Sequence, residues 1–361
     1  MTQITIIGAG MMGTAMCWPL ADNGHQVRLV GTPLDRELIA SIQTSGFHPT
    51  LQRPVPAGVQ AFQVTDLPQA LASADLVVSG VSSFGVDWFA HSVGPLLQPG
   101  QPVLAVTKGL EDQPNGDLWI LPEATRAKLP AHLRESASLN AVGGPCIAHE
   151  LAARRPTGVV FTGRHLPALE SLRDYLATPY YHISLSEDVV GVEVCAALKN
   201  AYALAVGLGV GMMQSQGPDG LANLYNIQAA LFGQSTLEMA RMLALLGSGT
   251  DNAHWLPGAG DLYVTVFGGR TVRLGSLLGK GIPFKDALEM MAGVTLESVE
   301  ITTRVARALP KLAARGLADP ADFPLLLHLD EVLNHDVPVE IPWDRLQVDR
   351  AERIRLGKVS S

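Results

Sequence analysis

The sequence predicts an α/β protein with a doubly wound sheet in its N-terminal part and an all-helical C-terminal part. In the first half, short β-branched runs alternate with segments long enough for crossover helices, a pattern typical of a parallel sheet covered on both faces. From about residue 188 these runs stop and long helical patterns follow. Since 361 residues exceed the usual size of one hydrophobic core, we expect two domains, 1–187 and 188–361.

The predicted elements follow from apolar periodicity and from the residues that break it. The buried parallel strands are predicted at Ile4–Ile7, Val27–Val30, Leu76–Val78, Val103–Val106 and Val159–Phe161. The helices are predicted at Val189–Met213, Ala222–Leu246, Phe284–Met291 and Thr295–Arg315. Prolines 310, 320 and 324 punctuate the last helices, and the tail after Asp349 is highly charged.

Composition excludes several classes of protein. Apolar residues at 47% and charged residues at 17% indicate a compact globular chain rather than a disordered one. A net charge of −8 without long charged runs offers no basic surface for nucleic acid. Three widely spaced cysteines indicate a reducing compartment, and the apolar N-terminus lacks the basic region of a signal peptide. We therefore expect a cytoplasmic protein.

The run from Val189 to Met213 is long enough to cross a membrane. Lys199, Asn200 and four glycines within it favour a core helix of a soluble protein, so no membrane insertion is expected. Lys199 has only one other charged residue, Glu193, in this run, and two interpretations are open. It lies on the polar edge of an amphipathic helix, or it is a catalytic lysine shielded from water, since burial lowers the pKa of a lysine.

A glycine-rich turn follows the first predicted strand directly and opens into a helical pattern. Gly8, Gly10 and Gly13 have the GxGxxG spacing of a dinucleotide-binding turn. The first glycine permits the tight turn, the second lets the backbone approach a pyrophosphate, and the third lets the helix pack on the strand. This context predicts a Rossmann-type, dinucleotide-binding domain. Pro19 falls inside the expected helix and should kink it.

The end of the second strand bears on the choice between NAD and NADP. A carboxylate there would bind the ribose hydroxyls and indicate NAD. The strand instead ends at Thr32 with no carboxylate before Asp35, and Arg36 is next to it. The sequence therefore predicts NAD or NADP as cofactor and favours NADP by a small margin.

Two further segments carry polar groups in positions suited to ligand binding. Lys108 follows the predicted strand Val103–Val106, at the carboxyl edge where α/β sheets bind ligands, although a surface lysine would look the same. Asp261 follows a flexible glycine pair, with Thr265 and Arg270 after it, and Arg270 can hold a phosphate or carboxylate. A plain loop between helices would look similar. No histidine spacing predicts a metal site.

The order of these motifs resembles the soluble NAD(P)-dependent glycerol-3-phosphate dehydrogenase family over most of the chain. The resemblance rests on GAGMMGTA from Gly8, VTKGLE from Val106, GGPCIAHE from Gly143, the ALKNAYALAVG block around Lys199, and GAGDLYVT with the following GGR. It implies that Lys199 is the general acid/base, that Lys108 and Asp261 line the substrate, and that Arg270 meets its phosphate. It also implies that Ala148 borders the cofactor and Gly144 the substrate.

The resulting site assignment has three overlapping groups. The catalytic residues expected are Lys199, Lys108 and Asp261. The residues expected at the cofactor are Gly8, Gly10, Met11, Met12, Gly13, Thr32, Lys108, Ala148 and Arg270. The residues expected at the substrate are Lys108, Gly144, Cys146, Lys199, Asn200, Asp261, Thr265, Gly269, Arg270 and Thr271.

The chain departs from the family pattern at the rim of the expected site. Cys146 replaces a serine, Thr271 an asparagine, Ala292 a glutamate, and Thr32 an arginine. The resemblance implies interconversion of dihydroxyacetone phosphate and sn-glycerol 3-phosphate by hydride transfer. An all-helical second domain with many apolar faces favours a homodimer. The departures leave open another phosphorylated hydroxyketone or a hydroxy acid as substrate. A nucleotide-binding protein without catalysis is the alternative of another class.

Overall fold

The computed structural model describes residues 2–215 and 225–346. The chain divides into two compact units. The first comprises the residues up to Lys108 together with Ile120–Glu193, and the second comprises Gly109–Trp119 and the chain from Val194 onward. A division at residues 187 and 188 thus differs from these units in two places, since residues 109–119 belong to the second and residues 188–193 to the first.

Twelve strands are found in the described part of the chain. They are β1 (Gln3–Ile7), β2 (Gln26–Val30), β3 (Phe47–His48), β4 (Arg53–Pro54), β5 (Gln60–Phe62), β6 (Leu76–Ser79), β7 (Pro102–Ala105), β8 (Leu110–Asp112), β9 (Leu118–Ile120), β10 (Ser138–Gly143), β11 (Thr157–Thr162) and β12 (Tyr181–Ser186). Eight of them form one sheet in the order β12-β11-β10-β7-β6-β1-β2-β5, while β3 pairs with β4 and β8 with β9.

The large sheet is doubly wound. Strands β2 and β5 lie on one side of β1, and β6, β7 and β10 lie on the other, so the strand order reverses between β1 and β6. Alternate residues face opposite sides of the sheet: Leu76 and Val78 pack into one hydrophobic cluster and Val77 into another. This confirms the predicted fold class, because only a sheet covered on both faces buries every residue of such a run.

The five predicted strands are present, with one error of direction. Val159–Phe161 lies in β11, which is parallel to β12 but antiparallel to β10, so the expectation of a purely parallel arrangement is wrong there. Strands β5, β10 and β12 were not predicted. β12 carries Tyr181, Ile183 and Leu185 alternating with polar residues, and such an edge strand lacks the continuous apolar run used to predict the others.

Nine α-helices lie within the described residues of the first unit. They are α1 (Met11–Ala15), α2 (Cys17–Asp22), α3 (Arg36–Ser45), α4 (Leu67–Leu71), α5 (Val86–Trp88), α6 (Leu121–Lys128), α7 (Ala131–Arg134), α8 (Ala148–Ala152) and α9 (Leu166–Leu176). The break between α1 and α2 falls at Met16, three residues before Pro19, which has no N–H to bond one turn back. The expected helix is therefore interrupted near Pro19.

Eight further α-helices follow in the described residues. They are α10 (Val189–Ser215), α11 (Tyr225–Leu245), α12 (Asp251–His254), α13 (Asp261–Thr265), α14 (Arg270–Gly279), α15 (Phe284–Met290), α16 (Glu297–Ala314) and α17 (Pro324–Asn334). Of the predicted helix Ala222–Leu246, residues 222–224 lie outside the described residues, as does the charged tail. Pro310 lies inside α16 without ending it. All regular structure described from Val194 to Leu346 is helical.

Helices α10 and α14 touch through their backbones. A Cβ placed on Gly211 would lie 2.2 Å from the Ser276 carbonyl oxygen, and one on Gly279 would lie 2.1 Å from that of Leu208. Gly207 and Gly275 meet one turn earlier in the same way. Four glycines, two on each helix at a spacing of four, therefore set a contact distance that no larger side chain permits.

Helix α10 alone among the described residues is long and apolar enough to cross a membrane by length and composition. In its most apolar window, 83% of the residues are buried inside the protein. This burial is that of a core helix, as predicted from Lys199 and the glycines.

Candidate functional site

The glycine-rich turn between β1 and α1 has the geometry that its spacing predicts. Gly8 has a φ of +105°, and a Cβ there would lie 2.8 Å from the Gly80 backbone. A Cβ on Gly13 would lie 2.3 Å from the Gly8 carbonyl oxygen, whereas one on Gly10 would meet nothing within 4 Å. Two glycines are thus required by close packing, and the third leaves the turn open for a ligand to approach the backbone.

Ala9, in the middle of this turn, is held by three side chains that sequence reasoning did not assign to it. The His48 Nε2–H donates to the Ala9 carbonyl oxygen over 2.9 Å, a tautomer required because His48 Nδ1 accepts from the Leu51 N–H. The Thr14 hydroxyl donates to the same oxygen, and the Ala9 N–H donates to the Asp35 carboxylate over 3.2 Å. The protein's own side chains therefore anchor the turn.

The Asp35 carboxylate lies at the carboxyl end of β2. Its Oδ2 accepts from the backbone N–H and the hydroxyl of Thr32, both at 2.8 Å, in addition to Ala9. No carboxylate lies between the strand and Asp35 in the sequence, but the turn after Thr32 brings Asp35 back to the end of the strand. Helix α8, which begins at Ala148, packs against α1 beside the glycine turn.

Lys108 and Gly144 lie together at the carboxyl ends of β7 and β10. The Lys108 ammonium donates to the Gly144 carbonyl oxygen over 3.3 Å, and Gly144 has a φ of +109°. Cys146 is half-buried and packs with Ala148 against the core rather than standing open to solvent. Lys108 is thus held by the chain at the sheet edge where α/β folds bind ligands.

Glu193 carries a buried carboxyl group that interacts electrostatically with Lys108. It is 1% exposed, and neither of its oxygens has a hydrogen-bond partner among the described residues. Burial raises the pKa of Glu193 from 4.5 to about 8, and the positive charge of Lys108 opposes this rise. A carboxyl in this setting holds its proton at neutral pH.

In the second unit, Lys199 lies between a carboxylate and a hydroxyl. Its Nζ is 3.0 Å from Asp261 Oδ1, and the exposed fractions of the two side chains are 11% and 2%. Nζ also donates to Thr265 Oγ1 over 2.9 Å, while the Thr265 hydroxyl donates to the Asp261 carbonyl oxygen over 2.6 Å. Asp261 and Thr265 are one turn apart on α13, so one short helix holds the lysine of α10 at two points.

Arg270 begins helix α14 after Gly269, which has a φ of +94°. Its guanidinium pairs with Glu297 Oε2 over 2.8 Å, a carboxylate that the sequence did not single out. Thr271 is 7% exposed and Asn200 is 9% exposed, so both are nearly buried rather than open. Any anion that binds Arg270 must share it with Glu297.

Glu238 fastens the helix that carries Lys199. This fully buried carboxylate accepts from the Tyr202 hydroxyl of α10, from Gln234, and from the N–H groups of Leu325 and Leu326 at the start of α17. Burial raises its pKa to about 7, and the four donors oppose this rise. The Glu238 carboxylate thereby joins helices α10, α11 and α17. Its partner on α10, Tyr202, lies one turn from Lys199.

The predicted residues therefore fall into two groups. The glycine turn, Thr32, Lys108, Gly144, Cys146 and Ala148 belong to the first unit, whereas Lys199, Asn200, Asp261, Thr265, Gly269, Arg270 and Thr271 belong to the second. Within residues 2–215 and 225–346, no three His, Cys, Asp or Glu side chains lie together as a metal site would require.

A doubly wound sheet with a glycine turn shaped for a dinucleotide, and a separate helical unit with a buried, ion-paired lysine, define a dinucleotide-dependent oxidoreductase. Comparison with known proteins gives the family. Residues 3–166 match the N-terminal domain and residues 188–343 the C-terminal domain of NAD-dependent glycerol-3-phosphate dehydrogenase.

Individual relatives agree. The chain is 35% identical to the NADP(+)-dependent glycerol-3-phosphate dehydrogenase of Archaeoglobus fulgidus over 286 residues, which cover 79% of this chain and 82% of the relative. It is 32% identical to the glycerol-3-phosphate dehydrogenase [NAD(P)+] of Bacillus pumilus, with 86% of each chain covered. The crystal structure of the Coxiella burnetii glycerol-3-phosphate dehydrogenase superposes with a TM-score of 0.77 at 26% identity, covering 95% of this chain and 97% of that one.

The chain belongs to the NAD-dependent glycerol-3-phosphate dehydrogenase family. It is accordingly an NAD(P)-dependent oxidoreductase that acts on a CH–OH group.

Proposed function

We propose that the chain interconverts dihydroxyacetone phosphate and sn-glycerol 3-phosphate, with Lys199 as the general acid/base. The observation that carries this assignment is the position of the Lys199 ammonium, nearly buried and held by Asp261 at 3.0 Å and by Thr265. Both polar groups come from one short helix, so the direction of the Nζ donor is set by a single rigid element, as proton transfer requires.

The bound nicotinamide supplies the hydride that reduces the ketone carbon. As the carbonyl oxygen gains negative charge, Lys199 donates a proton from Nζ to it, and in the oxidation the neutral amine takes that proton back. Asp261 favours the ammonium form of Lys199. The Thr265 hydroxyl uses its own hydrogen for the Asp261 carbonyl oxygen, so its lone pair is directed at Nζ and sets the direction of the donor.

The remaining positive groups attract the anionic substrate to a protein of net charge −8. Arg270 would bind the substrate phosphate through its fork of N–H groups, in exchange for part of its bond to Glu297. Lys108 is proposed as a further positive group that contacts the substrate. Gly144, Cys146, Asn200, Gly269 and Thr271 are proposed to line the substrate.

The relatives named above use NAD or NADP, and the glycine turn suits either dinucleotide. We further propose a small phosphorylated substrate, a cytoplasmic location and a homodimer. The division into a dinucleotide-binding domain, 1–187, and a helical substrate domain, 188–361, is part of the same proposal.

The test is a spectrophotometric assay of NADH and NADPH oxidation with dihydroxyacetone phosphate and a panel of other phosphorylated ketones and keto acids. Lys199→Met should lower turnover by at least a thousandfold while cofactor binding, followed by nicotinamide fluorescence, persists. Lys280→Met, at an exposed lysine on the surface, is the matched control and should turn over normally. Wild-type turnover by Lys199→Met would refute the role of Lys199, and faster turnover of another ketone would refute the substrate.

A further inference from the structure

His48 is a buried histidine whose ring bonds to the middle of the glycine turn. We propose that it is a positioning residue for the dinucleotide. Its ring fixes the peptide between Ala9 and Gly10 so that the Gly10 N–H faces the pyrophosphate of the cofactor. The inference rests on the family's NAD(P) cofactor, and it adds a residue outside the glycine turn on which the affinity for that cofactor depends.

A short hairpin brings His48 to the turn, although 39 residues separate it from Ala9. Helix α3 ends at Gly46, which has a φ of +69°, and the paired strands β3 and β4 follow. Phe47 is exposed and His48 is buried, as alternation along a strand predicts. Leu51, between the two strands, is 1% exposed and packs in the same hydrophobic cluster as Ala9. Burial of Leu51 therefore holds the hairpin, and with it the histidine, against the turn.

Both nitrogens of the His48 ring take part in hydrogen bonds. Nδ1 accepts from the Leu51 N–H over 3.0 Å, which leaves Nε2 to donate to the Ala9 carbonyl oxygen over 2.9 Å. The Thr14 hydroxyl donates to the same oxygen over 3.1 Å, so both of its lone pairs are used. His48, Thr14 and Ala9 are fully buried, and water cannot take the place of either donor.

The direction of the Ala9 carbonyl determines the direction of the next N–H. The peptide between Ala9 and Gly10 is trans, so its C=O and its N–H point in opposite directions. The carbonyl points into the protein towards His48, and the Gly10 N–H therefore points away from the core. Gly10 is half-buried, its N–H donates to none of the residues that the structure describes, and a Cβ on it would meet nothing within 4 Å. A dinucleotide approaches the turn from this open side, where the N–H can donate to a pyrophosphate oxygen.

Holding this peptide in advance lowers the cost of binding the cofactor. Without the His48 donor the Ala9 carbonyl keeps one of its two bonds, and the peptide plane must be ordered when the ligand arrives. NADH and NADPH carry the same pyrophosphate, so the affinity for both should fall by the same factor. The chemical step at the nicotinamide should be unaffected once the cofactor is saturating.

The experiment measures binding of NADH and NADPH to the whole chain without substrate, by nicotinamide fluorescence and calorimetry, and kcat with dihydroxyacetone phosphate. His48→Met removes both ring nitrogens and keeps a buried apolar side chain. It should raise the two dissociation constants by the same factor, about three- to tenfold, with kcat at saturating NADH within about twofold of wild type. His48→Gln returns an N–H donor at about the reach of Nε2 and should restore affinity to within about twofold of wild type.

Thr162→Val is the matched control for the loss of a buried hydrogen bond. The fully buried Thr162 hydroxyl donates to the Ser186 carbonyl oxygen in β12, and four strands of the sheet lie between β12 and β1. This variant should lose stability in urea unfolding while its affinity for both dinucleotides stays at the wild-type value. Thr14→Val removes the other donor to the Ala9 oxygen and should weaken both dinucleotides, so it tests the same peptide if His48→Met does not fold.

Three results would overturn the role of His48. They are wild-type affinity in a folded His48→Met or, where that variant does not fold, in Thr14→Val; no recovery in His48→Gln; and a loss of affinity confined to one dinucleotide. Binding of neither dinucleotide by the wild-type protein would overturn the cofactor on which the inference rests. Dinucleotide binding without turnover of dihydroxyacetone phosphate would count against the proposed substrate and leave the binding test of His48 in force.

Discussion

The buried carboxyl of Glu193 should make the stability of this protein depend on pH over a defined range. Its pKa is raised from 4.5 to about 8 in the folded protein. The folded state therefore binds a proton more tightly than the unfolded state does. The stabilisation is complete below the unfolded pKa and is lost as the pH rises through the folded one.

The size of the effect follows from that difference. At about 1.4 kcal/mol per pKa unit, the shift corresponds to about 4 to 5 kcal/mol of the free energy of unfolding, lost between pH 4.5 and about 8. This is a large fraction of the about 5–15 kcal/mol by which domains are stable. Glu193→Gln removes the titrating proton and keeps the shape, so the variant should not lose this contribution.

The assay is urea-induced unfolding of both proteins from pH 4.5 to 8.5. We expect the two free energies of unfolding to be similar at the acidic end, and the variant to become the more stable one towards pH 8.5. Glu170→Gln, at an exposed carboxylate on α9, should show no such divergence. Curves for wild type and Glu193→Gln that stay parallel throughout would contradict the burial argument. Other groups, including Glu238, titrate in both proteins and cancel in the difference.

Two further predictions concern the second unit. Gly279→Ala should destabilise the protein by about 1–3 kcal/mol or more, because the added Cβ would lie 2.1 Å from the Leu208 carbonyl oxygen. Gly233→Ala is the control, since a Cβ at this position in helix α11 would meet nothing within 4 Å. It should stabilise the protein by up to about 1 kcal/mol. Thermal unfolding compares the two, and equal effects would argue against the backbone contact. Glu297→Gln should lower KM for the phosphorylated substrate severalfold with kcat little changed, because Arg270 is released from its ion pair. A KM that rises would mean that Glu297 positions Arg270 rather than competing for it.

The features that could be predicted from the sequence are those that depend on residues close together in the chain. Gly8, Gly10 and Gly13 lie within one turn, so their spacing alone carries their geometry. The buried strands β1, β2, β6, β7 and β11 were found because they carry short, mostly apolar runs with β-branched residues, whereas Asn140 interrupts such a run in β10. The edge strands and the antiparallel direction of β11 depend on pairing with distant segments, which no local pattern states.

The polar contacts of the site were harder to predict for the same reason. Asp35 reaches the end of β2 only because of the turn that follows Thr32. Glu297 meets Arg270 across 27 residues, and Glu238 meets α17 across 87. Lys199 and Asp261 were expected together only through the family resemblance, since 62 residues separate them and neither predicts the other. Burial of Glu193 likewise depends on the folded chain.

The glycine contact between α10 and α14 fixes the two helix backbones independently of the side chains that surround the proposed site. Lys199 lies two turns before Gly207 on α10, and Arg270 begins α14 five residues before Gly275. The main-chain contact between the glycines consequently fixes the spacing of the two helix backbones from which these side chains extend. Changes at the rim, such as one at Thr271, can then accumulate without moving the backbone that carries Lys199 relative to the backbone that carries Arg270. Substrate preference can therefore change through substitutions of these surrounding side chains, while the backbone contact between the two helices is kept.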